Sequence, residues 1–304
     1  MALPDVGELA PGRTNHEFYA LMGDAYPGQL FRFDSKSNSF QIYLPGLSAD
    51  CLSFSRDGQW MTYVTLPDQS LWRSRIDGTE ATRLTSQPME AEFSAWSPDG
   101  RQIAFMGKQP GKPWRIFIVS RDGGTLKEAA NGDDSQGAPT WSADGKSLAY
   151  GNISCEETHS CWIRQIDLAT GGEDVLPGSN GFRTARWSPD GKWILALQPQ
   201  THQLLLFDLK SQHWRVLADS ITGDTPNWAR DSQYVYVDTL KDKLAVIERV
   251  RVKDGYREMV VDLTSLQKSS GQLDNWIGLT PDNSPILLHQ FTTADVYALE
   301  WTTQ

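Results

Sequence analysis

Cysteine is scarce in this chain of 304 residues. It occurs three times, which excludes a scaffold held together by several disulfides. No apolar run is long enough to span a bilayer, so we expect no membrane insertion. No window shows sustained helical periodicity, and the apolar residues alternate in short runs instead. The composition therefore predicts a soluble, mostly antiparallel β protein.

Basic residues are fewer than acidic residues. The chain has 28 Lys and Arg against 38 Asp and Glu, a formal net charge of −10. Since phosphate binding relies on a basic surface, we expect no direct contact with nucleic acid. The first residues show neither the basic nor the apolar region of a secretory signal, which favours a cytoplasmic location. The alternative is the periplasm, if a removed N-terminal segment exports the chain.

Recognisable catalytic motifs are missing as well. The sequence has no Gly-x-Ser-x-Gly nucleophile elbow, no His-Glu-x-x-His and no Gly-rich phosphate loop before a helix. The five histidines lie in different parts of the chain without paired spacing. We therefore expect no catalytic residue, no metal and no cofactor. Separately, we expect the chain to be a monomer.

Two of the cysteines, Cys155 and Cys161, flank a short loop between two predicted strands. They would form a disulfide in an oxidising compartment and remain thiols in a reducing one, and both interpretations stay open. A metal site is a weaker interpretation, because the spacing matches no usual zinc pattern. Cys51 lies on a predicted inner strand, where we expect it to be buried.

What the chain has instead is a repeat. A short phrase, clearest as Trp-Ser-Pro-Asp-Gly, returns six times, and each copy precedes an apolar alternating run. The copies are Phe54–Gly58, Trp96–Gly100, Trp141–Gly145, Trp187–Gly191, Trp228–Ser232 and Leu279–Asn283. Their aspartates are 42, 45, 46, 41 and 51 residues apart. This period is typical of the four-stranded blades of a β-propeller.

Each phrase has the residues that a tight turn between strands needs. Proline sets φ at the first corner, aspartate accepts hydrogen bonds from backbone amides, and glycine accepts a left-handed conformation. Ser232 and Asn283 replace that glycine, so we expect those two turns to be strained or differently shaped. The predicted turn residues are Asp57, Gly58, Asp99, Gly100, Asp144, Gly145, Asp190, Gly191, Asp231 and Asp282.

The number of blades follows from the segments outside the phrases. Residues 18–21, 30–34 and 40–43 look like the last three strands of one more unit, and seven units share the chain at about 43 residues each. We therefore predict an all-β propeller of seven four-stranded antiparallel blades, with six as the alternative. The whole chain, 1–304, would be one domain in which 1–46 and 275–304 contribute to ring closure. The final unit lacks a fourth strand, which the segment Pro4–Leu9 or a strand near it would supply.

The loops that lead from one blade to the next converge on the central channel, and they are acidic. The predicted rim residues are Asp50, Glu90, Glu92, Asp133, Asp134 and Asp224, with Arg183 as the main opposing charge. A channel mouth of this charge attracts cationic or amine-bearing ligands or a basic peptide. The alternative is that these residues are ordinary solvated turn residues.

The phrase Trp-Ser-Pro-Asp-Gly, followed by Lys or Arg and an apolar strand, resembles the repeat of TolB-type propellers (PD40, similar to WD40) over about residues 50–290. More narrowly, residues 54–60, 71–78, 110–114 and 296–301 resemble the C-terminal sensor propellers of bacterial winged-helix transcriptional regulators. This resemblance implies a recognition module whose channel or face engages a peptide, a protein or a small molecule. Because the 304 residues contain no winged-helix segment, we predict no DNA binding for them.

These observations together predict a non-enzymatic binding propeller, the sensory or interaction part of a transcriptional regulator. Its partner would be a protein, a peptide or a cationic small ligand. The alternative is a hydrolase or lyase that uses carboxylates in the channel, and such an enzyme would show a metal or a carboxylate pair with shifted pKa values. A purely structural spacer is the third possibility.

Overall fold

Each copy of the repeated phrase forms the turn of a β-hairpin in the computed structural model of the protein. In the second copy, the Ser97 hydroxyl donates to Asp99 Oδ1 over 2.6 Å. The amides of Arg101 and Gln102 donate to Asp99 Oδ1 and Ser97 Oγ. Gly100 closes the turn with a φ of 68°, which favours glycine. The phrase therefore satisfies its own polar groups within a few residues.

The two phrases without a final glycine keep the same backbone shape. Ser232 and Asn283 adopt left-handed φ values of 60° and 62°. Their side chains then serve the neighbouring phrase: Ser232 Oγ accepts the Asp190 amide, and Asn283 Oδ1 accepts the Arg230 amide, both over 3.1 Å. The substitutions thus add hydrogen bonds between adjacent turns.

The structure describes residues 6–11, 17–23, 28–130, 135–151, 161–241, 244–267, 272–290 and 294–300. Within them the N-terminal strands are β1 (Val6–Pro11), β2 (Glu17–Gly23), β3 (Gly28–Asp34) and β4 (Ser39–Ile42). Blade 1 comprises β5 (Ala49–Phe54), β6 (Trp60–Thr65), β7 (Ser70–Arg75) and β8 (Thr82–Arg83). Blade 2 comprises β9 (Glu90–Trp96), β10 (Gln102–Lys108), β11 (Arg115–Ser120) and β12 (Lys127–Glu128).

Three further blades follow in the same order along the chain. Blade 3 comprises β13 (Thr140–Trp141), β14 (Ser147–Gly151), β15 (Ile163–Asp167) and β16 (Glu173–Val175). Blade 4 comprises β17 (Arg183–Trp187), β18 (Trp193–Gln198), β19 (Gln203–Asp208) and β20 (His213–Ala218). Blade 5 comprises β21 (Asn227–Trp228), β22 (Tyr234–Lys241), β23 (Leu244–Arg251) and β24 (Arg257–Asp262). A helical turn, Thr264–Gln267, precedes β25 (Gln272–Leu279), β26 (Pro285–Gln290) and β27 (Ala294–Glu300).

The prediction of an all-β propeller with four-stranded antiparallel blades is confirmed, but the prediction of seven blades is wrong. Blade 6 joins the two halves of the chain in the order β25, β26, β3, β4. The segments at 30–34 and 40–43, expected to belong to a unit of their own, therefore complete the last one, with Arg32 opposite Ile286 and Phe31 opposite Leu287. The ring has six blades.

The division of the chain length by a typical blade length failed because three strands lie outside the blades. β1, β2 and β27 form a separate three-stranded antiparallel sheet. β1 covers most of the segment Pro4–Leu9 and pairs with β2, while β3 supplies the partner of β26.

The core lies between neighbouring blades, so their middle strands are buried on both faces. In β10, Ile103, Ala104 and Phe105 are fully buried. Tryptophans of the phrase add hydrogen bonds from one inner strand to the carbonyl of the preceding one. These bonds run from Trp96 to Ser53, from Trp141 to Ala95 and from Trp228 to Arg186, over 2.9–3.2 Å. Among the described residues, no helix has the length and apolar character needed to cross a membrane.

Candidate functional site

The inner strands enclose a central channel that contains three stacked cavities. The rim cavity, about 420 Å³, lies where the chain enters each inner strand. The middle cavity measures about 230 Å³, and the phrase cavity, about 430 Å³, is lined by Ser97, Ser142 and Ser188 of the repeated turns. The channel therefore has two chemically different ends, the rim end and the phrase end.

The rim end is built from equivalent positions of the six repeats. The rim ring consists of the residues seven positions before each phrase aspartate: Asp50, Glu92, Gly137, Arg183, Asp224 and Asn275. The first five of these line the rim cavity. The ring carries three acidic side chains and one basic side chain, so its formal charge is −2. Arg183 forms an ion pair with Asp224.

The other predicted rim residues differ from this group. Glu90 lies on β9 opposite Lys108 and forms an ion pair with it over 3.7 Å. Glu90 is not among the residues that line the rim cavity. Asp133 and Asp134 lie outside the described residues. The structure therefore brings together Asp50, Glu92, Arg183 and Asp224 and leaves Glu90 on the blade surface.

A second ring follows one residue further along each inner strand. Its members are Cys51, Phe93, Ala138, Thr184, Thr225 and Trp276, and all six line the rim cavity. Three of them, Cys51, Phe93 and Thr184, have positive φ values of 50°, 37° and 60°. Each sits where the pairing register of its strand shifts, which is the signature of a β-bulge. Such strained bulges re-aim side chains and are common at binding sites.

The third ring lies four residues before each phrase aspartate. Its members are Ser53, Ala95, Thr140, Arg186, Asn227 and Gly278. Five of these side chains are small, and the sixth is a long cation. Arg186 reaches far enough to line both the rim cavity and the middle cavity.

Arg186 has few partners for a half-buried charge. Its Nη1 donates to the carbonyl of Ala185 over 3.1 Å, and its guanidinium lies 6.0 Å from the ring centre of Phe93. Burial lowers the pKa of Arg186 to about 10, and the neighbouring Cys51 thiol opposes that shift. The side chain therefore remains a cation at neutral pH. Within the described ranges, no carboxylate lies within ion-pair distance of it.

Asp238 on β22 is a second half-buried charge near the rim. Its carboxyl group packs directly against Gly223, where an added Cβ would overlap it. Its Oδ1 accepts no hydrogen bond from the described part of the chain. Burial, with a further contribution from the charge of Asp224, raises the pKa of Asp238 to about 6. Asp238 is not among the residues that line the channel cavities.

The cysteines are divided between the channel and blade 3. Cys51 is buried in the second ring, as part of β5. Cys161 is buried and disulfide-bonded. Cys155, its predicted partner, lies outside the described residues, so the pairing stays a prediction. Across the residues that the structure describes, no group of three or more His, Cys, Asp or Glu side chains could hold a metal ion.

Reasoning from the sequence missed the second ring and Arg186. The acidic rim drew attention because of its charge, whereas Phe93, Trp276 and Arg186 belong to strands that otherwise look like ordinary propeller strands. A signal was present: aligning the six repeats on their aspartates exposes Arg186 as the one long side chain at its position. The bulges that aim Cys51 and Phe93 inward leave no comparable trace in the residue types.

Comparison with known proteins agrees with the fold. The family model described as the TolB beta propeller domain, PD40, matches residues 53–271. An uncharacterised protein of Agrobacterium fabrum is 28% identical over 109 residues, which are 32% of this chain and 37% of that protein. The Tol-Pal system protein TolB of Syntrophus aciditrophicus is 44% identical over 55 residues, 18% of this chain and 12% of that protein. The chain thus matches about a third of these curated relatives' length or less.

Relatives named as peptidases also match, over 8–19% of their length. Among solved structures, one assigned as a TolB of Agrobacterium tumefaciens superimposes with a TM-score of 0.69 at 20% identity. The match covers 89% of this chain and 100% of that one. At this identity the likeness supports the fold alone.

Proposed function

Because the chain belongs to the TolB β-propeller family, we propose that it is a non-enzymatic binding module that receives a peptide segment or a protein partner at the rim end of its channel. The observation that carries this proposal is the rim ring. It gathers Asp50, Glu92 and Asp224 from three different blades around one cavity. An excess of negative charge at a concave mouth favours a partner with lysine or arginine side chains.

The size of the rim cavity supports a segment of a larger partner. Its volume of about 420 Å³ falls in the usual range of ligand sites and has room for a few side chains. Phe93 and Trp276 add aromatic surface next to the acidic ring, and aromatic side chains are enriched at protein interfaces. The partner's backbone would remain outside, on the face of the ring.

The test is binding of short acetylated and amidated peptides of graded net charge to the purified chain, measured by fluorescence anisotropy. Peptides with several Lys or Arg should bind more tightly than neutral ones, and their binding should weaken as salt is added. The double variant Asp50→Asn with Glu92→Gln should weaken basic peptides by about tenfold. Glu90→Gln is the control for each single substitution, since it removes one carboxylate from the blade surface. Equal losses in both variants, or no preference for basic peptides, would contradict the proposal.

The compartment is part of the proposal. The prediction of a cytoplasmic location is not supported, and we place the propeller in the periplasm, the predicted alternative. The local match to a Tol-Pal system protein TolB supports this location. A disulfide-bonded Cys161 supports it too, because disulfides persist in oxidising compartments. Alkylation of thiols in intact cells and in lysates would distinguish the oxidised from the reduced state.

The sensor role in a transcriptional regulator remains the narrower proposal. It rests on the sequence resemblance alone and requires a DNA-binding segment joined to the propeller in the full-length protein. Its test is whether a peptide that binds the rim changes the DNA affinity of that protein.

The alternative of a hydrolase or lyase has less support. Asp238 has the raised pKa that an enzyme would use, and Asp224 contributes to it. However, the Asp238 carboxyl group packs against Gly223 instead of lining a cavity. We therefore propose binding without turnover.

A further inference from the structure

The third ring contains a charge that none of the other five repeats has at this position. Blades 1, 2, 3 and 5 complete their inner strands with Ser53, Ala95, Thr140 and Asn227 at this position, and blade 4 has Arg186. The backbone carbonyl of Arg186 accepts the Trp228 indole, which is the contact that the other repeats also make. The backbone of Arg186 thus makes the hydrogen bond that this position contributes to the fold. The guanidinium group takes no part in that bond.

The surroundings of the guanidinium combine aromatic and polar groups. Phe93 and Trp276 line the rim cavity together with Arg186, and the guanidinium lies 6.0 Å from the ring centre of Phe93. The hydrogen bond to the Ala185 carbonyl uses one of five N–H donors. A half-buried cation that lines a cavity, with unused donors and no carboxylate at ion-pair distance among the described residues, favours an anionic ligand.

The chemistry of the cavity selects among anions. A single guanidinium matches a carboxylate through two parallel hydrogen bonds. A doubly charged phosphate needs more positive charge, and the other arginine of the rim cavity, Arg183, already forms an ion pair with Asp224. The acidic rim ring also repels a dianion more strongly than a monoanion.

We propose that Arg186 forms a carboxylate-binding subsite inside the channel. A ligand that fills both levels would keep basic groups at the rim ring and direct one carboxylate, from an acidic side chain or a free C-terminus, to Arg186. The identity of the partner rests on the proposed function, but the subsite itself does not.

A matched pair of small probes tests the subsite. 3-Phenylpropanoate and its neutral amide, 3-phenylpropanamide, differ only in the charged group. Each is titrated against the full chain at low chloride, with binding followed by ligand-observed NMR. The carboxylate should bind at least about tenfold more tightly than the amide. Arg186→Gln should abolish that preference, and Arg186→Lys should retain only part of it.

The control is Arg101→Gln, which removes one positive charge from an exposed turn. It should leave the preference unchanged, and the melting temperature of Arg186→Gln should equal or exceed that of the wild type. Equal binding of acid and amide, or an equal loss in Arg101→Gln, overturns the subsite. Tighter binding of inorganic phosphate than of 3-phenylpropanoate overturns its assignment to carboxylates. Failure of basic peptides at the rim affects none of these titrations, so the two proposals fail separately.

Discussion

The two ends of the channel treat their charged groups differently. At the phrase end, Asp99 accepts the Ser97 hydroxyl and a backbone amide, and Arg230 donates to the carbonyls of Ser55 and Arg56. At the rim end, Arg186 has one backbone carbonyl as its hydrogen-bond partner. Asp238 Oδ1 behind the rim accepts no hydrogen bond from the described residues.

This difference shows in the direction of the pKa shifts. The Ser97 hydroxyl and the Arg101 amide hold the pKa of Asp99 below its usual range, so the charged form is favoured there. Burial raises the pKa of Asp238, so its charged form is disfavoured. Among the arginines the two ends agree, because burial lowers the pKa of Arg186 and also that of Arg230. Charges that the fold does not compensate tend to mark functional sites, where stability is given up for binding. We therefore expect the phrase end to maintain the ring and the rim end to carry the proposed recognition chemistry.

The largest expected effect comes from Asp238→Asn. A carboxyl group whose pKa is about 6 in the folded state and near 4 in the unfolded state stabilises the fold below pH 4, and this stability is lost as the pH rises through 6. Asparagine does not titrate, so the variant does not lose this stability. Its free energy of unfolding should exceed that of the wild type by nearly zero at pH 4 and by about 2–3 kcal/mol at pH 7.5. Urea denaturation of both proteins across this range gives the difference. A difference in the free energy of unfolding that does not change with pH would show that the fold does not disfavour the charged form of Asp238.

At the phrase end, we expect a substitution to lower the free energy of unfolding instead of raising it. Ser97→Ala removes a donor to Asp99 and leaves the Gln102 amide without its acceptor, so it should cost about 1–2 kcal/mol. The pKa of Asp99, followed by NMR, should rise toward its usual value in the variant. Ser120→Ala in an exposed turn of the same blade is the control and should cost less than about 0.5 kcal/mol. A cost as small as that of the control would mean that the phrase turn holds without its serine.

The fold was predictable because its signals are local. The turn chemistry of residues 96–100 and the spacing of the six aspartates depend on sequence alone, and they give the propeller and its four-stranded blades. The blade count depended on which partner β3 chose, β26 or β2. That choice joins residues about 250 positions apart, and nothing in the local pattern of residues 30–34 distinguishes the two partners.

The candidate site was predictable from the sequence only where charged residues occupy equivalent positions of the repeats. Asp50, Glu92 and Asp224 occupy one equivalent position, so a charge-based reading of the loops brought them together. Glu90 was grouped with them as well, but it lies two residues before Glu92, pairs with Lys108 across the blade and is not among the residues that line the rim cavity. Arg186 required a comparison between repeats, since a single arginine on one strand carries no signal of burial.

The smallest effects test the comparison most directly, because the two channel arginines should respond to the same substitution in opposite directions. Arg230→Met removes hydrogen bonds to the Ser55 and Arg56 carbonyls that join blades 5 and 1, and it should destabilise the chain by about 1 kcal/mol. Arg186→Met removes a half-buried cation while its backbone bond to Trp228 remains, so it should be neutral or stabilise by up to about 1 kcal/mol without ligand. Urea denaturation at pH 7 with an unchanged m-value measures both. Equal destabilisation by the two variants would mean that Arg186 stabilises the fold as Arg230 does. The two ends of the channel would then not differ in how they use their arginines.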